Sequence, residues 1–230
     1  MRHKIGIICI TLGTVLILGA LSLLLYNQRE AANAEAAVNA VFPQLMEQIH
    51  QDQPKPTDAT VETTVSEMTE PEAIPMDPPP TEPEQPTEAP VVTQPVSKEM
   101  DTVELEGHSY IGYISIPSLQ LTLPVMADWS YPKLKLAPCC YCGSIYTQDL
   151  VLMAHNYDRH FGRLSRLNGG EAVTFTDVHG VTTEFTVVLV DILNPTDVEQ
   201  MTAGAYDLTL FTCTYGGKTR VTVRCQQNTP

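Results

Sequence analysis

The segment that decides the fold is Asp207–Cys213 (DLTLFTC), which is followed after a Gly-containing turn by Thr219–Cys225 (TRVTVRC). Both segments are rich in β-branched and apolar residues that alternate with polar ones, a pattern typical of strands whose two faces meet different surroundings. The intervening turn is short enough to join neighbouring antiparallel strands. The sequence therefore predicts a β-hairpin over residues 207–225.

Alternation also assigns the two faces of this hairpin. The predicted register places Cys213 directly across from Arg220, and Arg224 beside Thr209, about 13 Å further along at roughly 3.3 Å per residue. These four side chains share one face, together with Phe211. The core-facing positions are Leu208, Leu210, Val221 and Val223.

The same reading extends over the C-terminal part of the chain, where short apolar runs are separated by turn residues. This spacing predicts a mainly β domain, a closed barrel of seven to eight strands, with one short helix at Phe161–Leu167. The predicted strands are Gly112–Ile116, Leu121–Val125, Asp149–Ala154, Ala172–Thr176, Glu184–Ile192, Asp207–Cys213 and Thr219–Cys225.

The N-terminal part has a different composition. Ile5–Leu25 contains 21 residues without a charge, enough for one helix to span a bilayer. No clean cleavage site follows it, so an uncleaved signal anchor is expected. Arg2 and Lys4 precede the span, and the positive-inside tendency then puts the N-terminus in the cytoplasm and the rest of the chain outside.

Composition divides the chain into four parts. Residues 1–29 form the cytoplasmic tip and transmembrane anchor, and the Ala-rich residues 30–50 predict a juxtamembrane helix that breaks or frays near Pro43. Residues 51–100 hold eleven Pro and eleven acidic side chains, which predicts a disordered stalk that holds the following domain away from the bilayer. Residues 101–230 form the folded β domain.

The net charge excludes one class of partner. The chain carries 27 acidic against 13 basic side chains, a formal charge of -14. Proteins that track nucleic-acid phosphates need a surplus of Lys and Arg, so nucleic acid is not expected as a partner.

Three side chains of the β domain suggest chemistry. Cys213 ends a predicted strand, where a thiol is reachable, but a thiol is mostly protonated at neutral pH and needs help to act as a nucleophile. His155 ends another strand and could act as acid, base or ion-pair partner, while Arg220 could stabilise an oxyanion. The alternative is that these are a buried thiol, a turn histidine and a solvated arginine.

Four motifs in series resemble the sortase family of membrane-anchored cysteine transpeptidases from Gram-positive bacteria, over most of residues 108–226. Thr209–Cys213 fits the family's Thr-Leu-x-Thr-Cys signature, and Arg220–Arg224 is similar to its Arg-x-x-Val-Arg continuation. Ala154–Asn156 resembles Gly-His-Asn, with Ala in place of the usual Gly. Residues 111–117 with 123–125 are similar to the family's opening strands.

The resemblance implies an eight-stranded barrel in which Cys213 attacks the Thr-Gly bond of an LPXTG-like sorting signal, forming a thioacyl enzyme. His155 would exchange protons with the amines, Arg220 would hold the oxyanion, and Thr212 would help bind the substrate. The partners would be secreted proteins with a C-terminal sorting signal and an amine acceptor from a cell-wall precursor or a pilin, with no metal or organic cofactor. The short segment between Asn194 and Asp207 favours a class A, D or E-like member.

Several readings compete with this one. Cys139, Cys140 and Cys142 include a Cys-x-x-Cys and, with Cys225, could be free thiols, a disulfide or a zinc site. His160 is a rival to His155 as the proton-transfer group. The barrel could instead be a membrane-tethered peptide-binding module without catalysis. An L,D-transpeptidase is a third possibility, although its Ser-His-Gly-Cys cluster is absent.

Overall fold

A computed structural model describes residues 2–52, 99–202 and 204–228 of the 230-residue chain. The described part consists of a long N-terminal helix and a β domain with two short α-helices and two 3-10 helices. The strands are β1 (Val103–Leu105), β2 (His108–Ile116), β3 (Leu121–Met126), β4 (Cys139–Cys142), β5 (Leu150–Met153), β6 (Ala172–Asp177), β7 (Thr182–Leu193), β8 (Leu208–Cys213) and β9 (Arg220–Gln227). The helices are α1 (Arg2–Asp52), α2 (Tyr131–Leu134) and α3 (Val198–Met201), with 3-10 turns at Pro117–Leu119 and Phe161–Arg166.

Eight strands close into a barrel. Their order is β2-β3-β4-β5-β8-β9-β7-β6, and β6 pairs back onto β2, while β1 adds a short edge strand beside β2. The closure depends on Gly112, whose φ of +141° and position leave no room for a side chain. A Cβ there would lie 2.0 Å from the carbonyl oxygen of Thr176 on β6. The predicted closed β-barrel is confirmed.

All seven predicted strands are present, with shifts of a few residues at their ends. The sequence reading missed β1, which is only three residues long, and β4. The β4 segment, Cys139–Cys142, has neither alternating polarity nor β-branched residues, so pattern alone does not mark it as a strand. The short helix expected at Phe161–Leu167 is a 3-10 helix ending at Arg166.

The main core fills the barrel. It includes the predicted core positions of the hairpin, and Phe161 and Leu164 seal it from the 3-10 helix. The inward-facing hairpin residues are Leu208, Leu210, Val221 and Val223. Phe211, on the opposite face of β8, belongs to a separate apolar cluster outside the barrel, as the alternation predicted.

Helix α1 corrects one prediction. It continues without a break through Pro43 to Asp52, whereas the sequence reading expected a break near that proline. Proline removes one backbone hydrogen bond, to the carbonyl four residues earlier. Here Pro43 and Asn39 both lie on the exposed side of the helix, where water can satisfy the freed carbonyl, so the helix tolerates the proline.

The two halves of α1 differ in burial. Apolar side chains between Ile10 and Leu25 are mostly exposed, as expected of a helix long and apolar enough to cross a membrane. The second half is docked on the barrel. Its buried stripe, spaced at three or four residues, is Ala34, Val38, Val41, Leu45 and Ile49. The expected stalk lies almost wholly in residues 53–98, outside the described residues.

Candidate active site

Three neighbouring strands bring the predicted site residues together. β5 and β8 run parallel with Met153 opposite Phe211, and continuing this register by two residues places His155 beside Cys213. β8 and β9 are antiparallel, with Cys213 opposite Arg220 as predicted. Adjacent strands are about 4.8 Å apart, and all three residues fall on the outward-facing parity of their strands. His155, Cys213 and Arg220 therefore lie side by side at one end of the barrel.

Hydrogen bonds lock the end of β5 against the end of β8. The Thr212 hydroxyl donates to the carbonyl oxygen of Ala154 at 2.7 Å, and the Asn156 side-chain amide donates to the Thr214 carbonyl at 3.5 Å. These two bonds bracket His155. Thr212 is only 3% exposed, so its hydroxyl faces the protein interior and is engaged there. Ala154 has no positive φ, and the alanine at this position strains nothing.

The His155 imidazole is half-buried and held by a ring contact. It stacks on Tyr157, with centroids 4.9 Å apart and planes at 29°. Burial lowers the pKa of His155, and the Lys135 cation lowers it further, while Glu30 from α1 acts in the opposite direction. The uncharged imidazole is thus favoured, in which one nitrogen can accept a proton.

Arg220 is positioned by the hairpin turn. Its Nη1 donates to the carbonyl oxygens of Gly217 and Thr219, each at 3.1 Å. Gly216 and Gly217 have φ values of +83° and +73°, which glycine adopts without strain. The other guanidinium N–H groups make no hydrogen bond to a described residue, and they remain able to donate to a ligand.

His160 has none of these properties. Its side chain is fully buried, and neither ring nitrogen has a hydrogen-bond partner among the described residues. Burial, with a smaller effect of His155, lowers the pKa of His160 to about 4. Its ring lies 5.5 Å from Tyr157 on the far side from solvent. The rival to His155 is a packing residue.

An apolar cluster adjoins the thiol on the outer face of the sheet. Its buried members are Val151, Leu193, Met201 and Phe211, with Tyr141 and Met153 packed against them. Phe211 lies two residues before Cys213, and Leu193 pairs with Arg220. The cluster therefore lies directly next to the three site residues, and we call it the outer apolar cluster.

Arg224 holds the segment between β7 and β8 against the outer apolar cluster. Its guanidinium donates to the carbonyl oxygens of Met201 and Gln200 and to the Thr209 hydroxyl. It also lies over the Tyr206 ring, 5.4 Å from the centroid. Arg224 is 3% exposed and lies opposite Thr209, the pairing that the hairpin register predicted. Among the described residues of this segment, α3 is the only helical turn.

The remaining described cysteines are free thiols. Burial raises the pKa of Cys139 and of Cys225 to about 12, and that of Cys140 to about 11. Within residues 2–52, 99–202 and 204–228, no group of three His, Cys, Asp or Glu side chains is placed to hold a metal ion. Cys139, Cys140 and Cys142 of the Cys-x-x-Cys all lie on β4 as free thiols.

The sequence reading missed two parts of the site. Tyr157, the ring under His155, is a single aromatic in a turn and carries no pattern. The approach of Glu30 to Lys135, 3.1 Å between charged atoms, links residues far apart in the chain. The sequence does contain an indication that α1 contacts the barrel, because the apolar positions from Ala34 to Ile49 recur at helical spacing and predict a docked helix.

The half-exposed thiol flanked by an imidazole and a guanidinium defines a class of cysteine-dependent sites. The family model that matches is the sortase domain, over residues 114–228, which is half of the chain. The chain belongs to the sortase family, whose members are cysteine transpeptidases. A search of the curated proteins finds no match.

Solved structures similar to this chain are also sortases. Sortase A from Corynebacterium diphtheriae is 21% identical, with a TM-score of 0.49 over 54% of this chain and 62% of its own. Sortase C1 from Streptococcus agalactiae is 26% identical, with a TM-score of 0.49 over 55% and 72%. Sortase C from Clostridium perfringens, solved with the C-terminal cell wall sorting motif, is 23% identical, with a TM-score of 0.47 over 53% and 71%. The match thus spans less than two thirds of the Corynebacterium chain.

Proposed function

We propose that this protein is a transpeptidase that cleaves an LPXTG-like sorting signal between Thr and Gly and transfers the cleaved protein to an amine. The observation that carries the proposal is the position of His155, Cys213 and Arg220 at the neighbouring ends of three adjacent strands, with His155 two residues beyond β5. This arrangement offers a nucleophile, a proton carrier and an oxyanion donor within reach of a single peptide bond.

In the first half of the reaction, the Cys213 thiol gives its proton to the neutral His155 imidazole, and the resulting thiolate attacks the Thr carbonyl carbon. The carbonyl oxygen becomes negatively charged in the tetrahedral intermediate, and the free N–H groups of Arg220 donate to it. Protonated His155 gives its proton to the departing Gly nitrogen, which leaves as a free amine. A thioester between Cys213 and the Thr carbonyl remains.

In the second half, the acceptor amine attacks the thioester. Neutral His155 removes a proton from the attacking amine, and the new peptide bond forms as the Cys213 thiolate leaves. The enzyme returns to its starting state without an external oxidant or reductant. The lowered pKa of His155 favours the neutral form that this half requires.

The outer apolar cluster beside Cys213 is the region to which we assign binding of the sorting signal. Val151, Phe211 and Leu193 belong to it and are 3–8% exposed, so Leu and Pro side chains of the signal would pack against its edge, where Tyr141 and Met153 are only partly buried. Thr212 acts here as a positioning residue through the Ala154 carbonyl, because its buried hydroxyl does not reach the surface.

The substrates and location follow from the same proposal. The cleaved proteins would be secreted proteins with a C-terminal sorting signal, and the acceptor an amine of a cell-wall precursor or a pilin. One apolar helix, compatible with a membrane anchor, precedes the barrel. We place its N-terminus in the cytoplasm and the barrel on the outer side of the cell membrane, with Arg2 and Lys4 setting the orientation.

The test is cleavage of a positional library of LPXTG-like peptides by the full-length protein in detergent. The full chain is used because α1 packs on the barrel, and its removal would expose the docked surface. A mass increase on Cys213 equal to the peptide acyl group, absent from Cys213→Ala, is the expected result. Folded protein whose Cys213 accepts an alkylating agent but no peptide acyl group would contradict the proposal and favour a peptide-binding module.

A further inference from the structure

The aromatic side chains of the segment Trp129–Lys135, which contains α2, have no role in the proposed reaction. Trp129 is 40% exposed and Tyr131 75%, and their rings meet edge to face at 5.9 Å. Two large aromatic side chains held side by side in the open mark a contact surface more often than a solvated loop. We call Trp129, Tyr131 and Lys135 the α2 surface.

An ion pair fixes the position of the α2 surface along the axis of α1. Lys135 Nζ lies 3.1 Å from Glu30 Oε2. Glu30 is five residues beyond Leu25, the end of the uncharged span, which is about 7 Å along an unbroken helix. The headgroup layer on each side of a bilayer is about 5–8 Å thick. With the span in a membrane, Lys135 therefore lies at the level of the lipid headgroups.

Because the second half of α1 is packed on the barrel, the distance between Lys135 and the apolar span is fixed. Val38, Val41, Leu45 and Ile49 are buried against the barrel, and a second ion pair joins Glu35 to Arg159 at 3.5 Å. Because α1 is continuous from the span to this interface, the barrel cannot move away from the bilayer unless the interface opens.

The charges around the α2 surface favour one way of binding lipid. Lys135 is paired with Glu30, and Lys133 is paired with Asp128. The chain as a whole carries a charge of -14. No surplus of positive charge is left to attract anionic headgroups, so Trp129 and Tyr131 would supply the contact, as aromatic residues do at membrane interfaces.

We propose that the α2 surface is a membrane-contact surface that seats the active-site end of the barrel on the lipid headgroups. Its partner is the bilayer itself. The inference rests on the proposed membrane anchor and does not require the proposed catalysis. Aromatic contacts connect this surface to the region beside the site. Trp129 stacks on Tyr141 with ring centroids 5.9 Å apart, and Tyr141 packs edge to face on Phe211 with centroids 5.5 Å apart.

Trp129 is the only tryptophan of the chain, so its fluorescence reports on this surface without labelling. The full-length protein is placed in phosphatidylcholine vesicles whose acyl chains carry bromine close to the glycerol backbone, or no bromine. Bromine quenches a nearby indole, and an interfacial Trp129 should lose roughly half of its emission. The loss should be the same in Cys213→Ala, and the same after a fraction of phosphatidylglycerol or high salt is added.

A matched pair of variants tests the docking. Leu45→Asp places a charge in the buried interface, whereas Gln48→Asp places one on the exposed side of the same helix. Both should float with the vesicles, and only Leu45→Asp should lose the quenching. Glu30→Lys, at a more exposed position, repels Lys135 and should lower the quenching in a barrel whose thermal unfolding is unchanged.

Three results would overturn the proposal. The first is wild-type protein that floats with vesicles but shows no quenching. The second is equal quenching in Leu45→Asp and the wild type. The third is a change of Trp129 emission on adding sorting peptide with none from brominated lipid, which would assign the surface to the peptide groove.

Discussion

Each member of the candidate site has a buried counterpart of the same residue type four to twelve residues away. Cys213, His155 and Arg220 are half-exposed at the open end of the barrel, whereas Cys225, His160 and Arg224 are buried behind it. The buried thiol faces the core, and the buried imidazole has no hydrogen-bond partner among the described residues. The buried guanidinium donates from its two terminal nitrogens to the carbonyl oxygens of Met201 and Gln200 and to the Thr209 hydroxyl, while its Nε has no hydrogen-bond partner among the described residues. The proposed function therefore assigns reactivity by position at the strand ends, and residue type alone does not indicate it.

The cysteine pair should show the largest contrast. Cys213→Ala removes the nucleophile and should lower peptide cleavage by at least about 1000-fold. Cys225→Ala should leave cleavage within about two-fold and lower the free energy of unfolding by about 1–2 kcal/mol, since it leaves a small core cavity. Initial rates and urea unfolding measure the two effects. Loss of activity in a well-folded Cys225→Ala protein would break the comparison.

The arginine pair should separate turnover from stability. Arg220→Lys keeps the charge but loses the planar fork, and turnover should fall roughly 100-fold with the unfolding midpoint unchanged. Arg224→Lys should instead lower the free energy of unfolding by about 3 kcal/mol, because it loses charge-assisted bonds to Met201 and Gln200. Steady-state kinetics and denaturant unfolding on both variants give the answer. Equal effects of the two substitutions on turnover would show that the distinction is mistaken.

These contrasts show what the sequence could and could not predict. The face and register of the hairpin followed from alternation, so the pairs Cys213–Arg220 and Thr209–Arg224 were predicted correctly. Burial of Thr212 also follows from alternation, since it shares parity with Leu208 and Leu210. The substrate-binding role of Thr212 is implied only by the resemblance to the family motif, and the strand period does not support it.

Other features depend on contacts between distant parts of the chain. The β4 strand forms because neighbouring strands offer it hydrogen bonds, although its own residues have no strand pattern. The stacking of Tyr157 on His155 depends on a turn whose path no local rule specifies. Helix α1 remains continuous at Pro43 because the opposite side of the helix is packed on the barrel. Helix propensity, which considers only the local sequence, does not take this packing into account.

The histidine pair should give the protein an acid-sensitive stability. The pKa of His160 is about 4 in the folded state against 6.5 for an ordinary imidazole, so the unfolded chain binds the proton first. Its contribution is complete above pH 6.5 and is lost as the pH falls towards 4, by roughly 3 kcal/mol. His160→Leu should flatten this part of the stability profile relative to the wild type. A profile unchanged by the substitution would mean that His160 is not the group responsible.

The smallest expected effect concerns Thr212. Thr212→Val keeps the shape and removes the bond to the Ala154 carbonyl, which should cost about 1 kcal/mol of stability and lower kcat a few-fold. KM for the peptide should not change if the hydroxyl acts through the His155 strand. Thr212→Ser, which retains the hydroxyl, is the matched control. A rise in KM with unchanged kcat in Thr212→Val would restore the substrate-contact role.

The docking of α1 has a consequence for proteolysis. Helix α1 and the barrel belong to one compact unit, and the chain leaves this unit after residue 52 and re-enters it before residue 99. A protease that cuts once between those points produces two fragments that are still joined by the buried interface of Val41, Leu45 and Ile49. The barrel would thus stay attached to its anchor after cleavage, and shedding would require the interface to open as well as the chain to be cut.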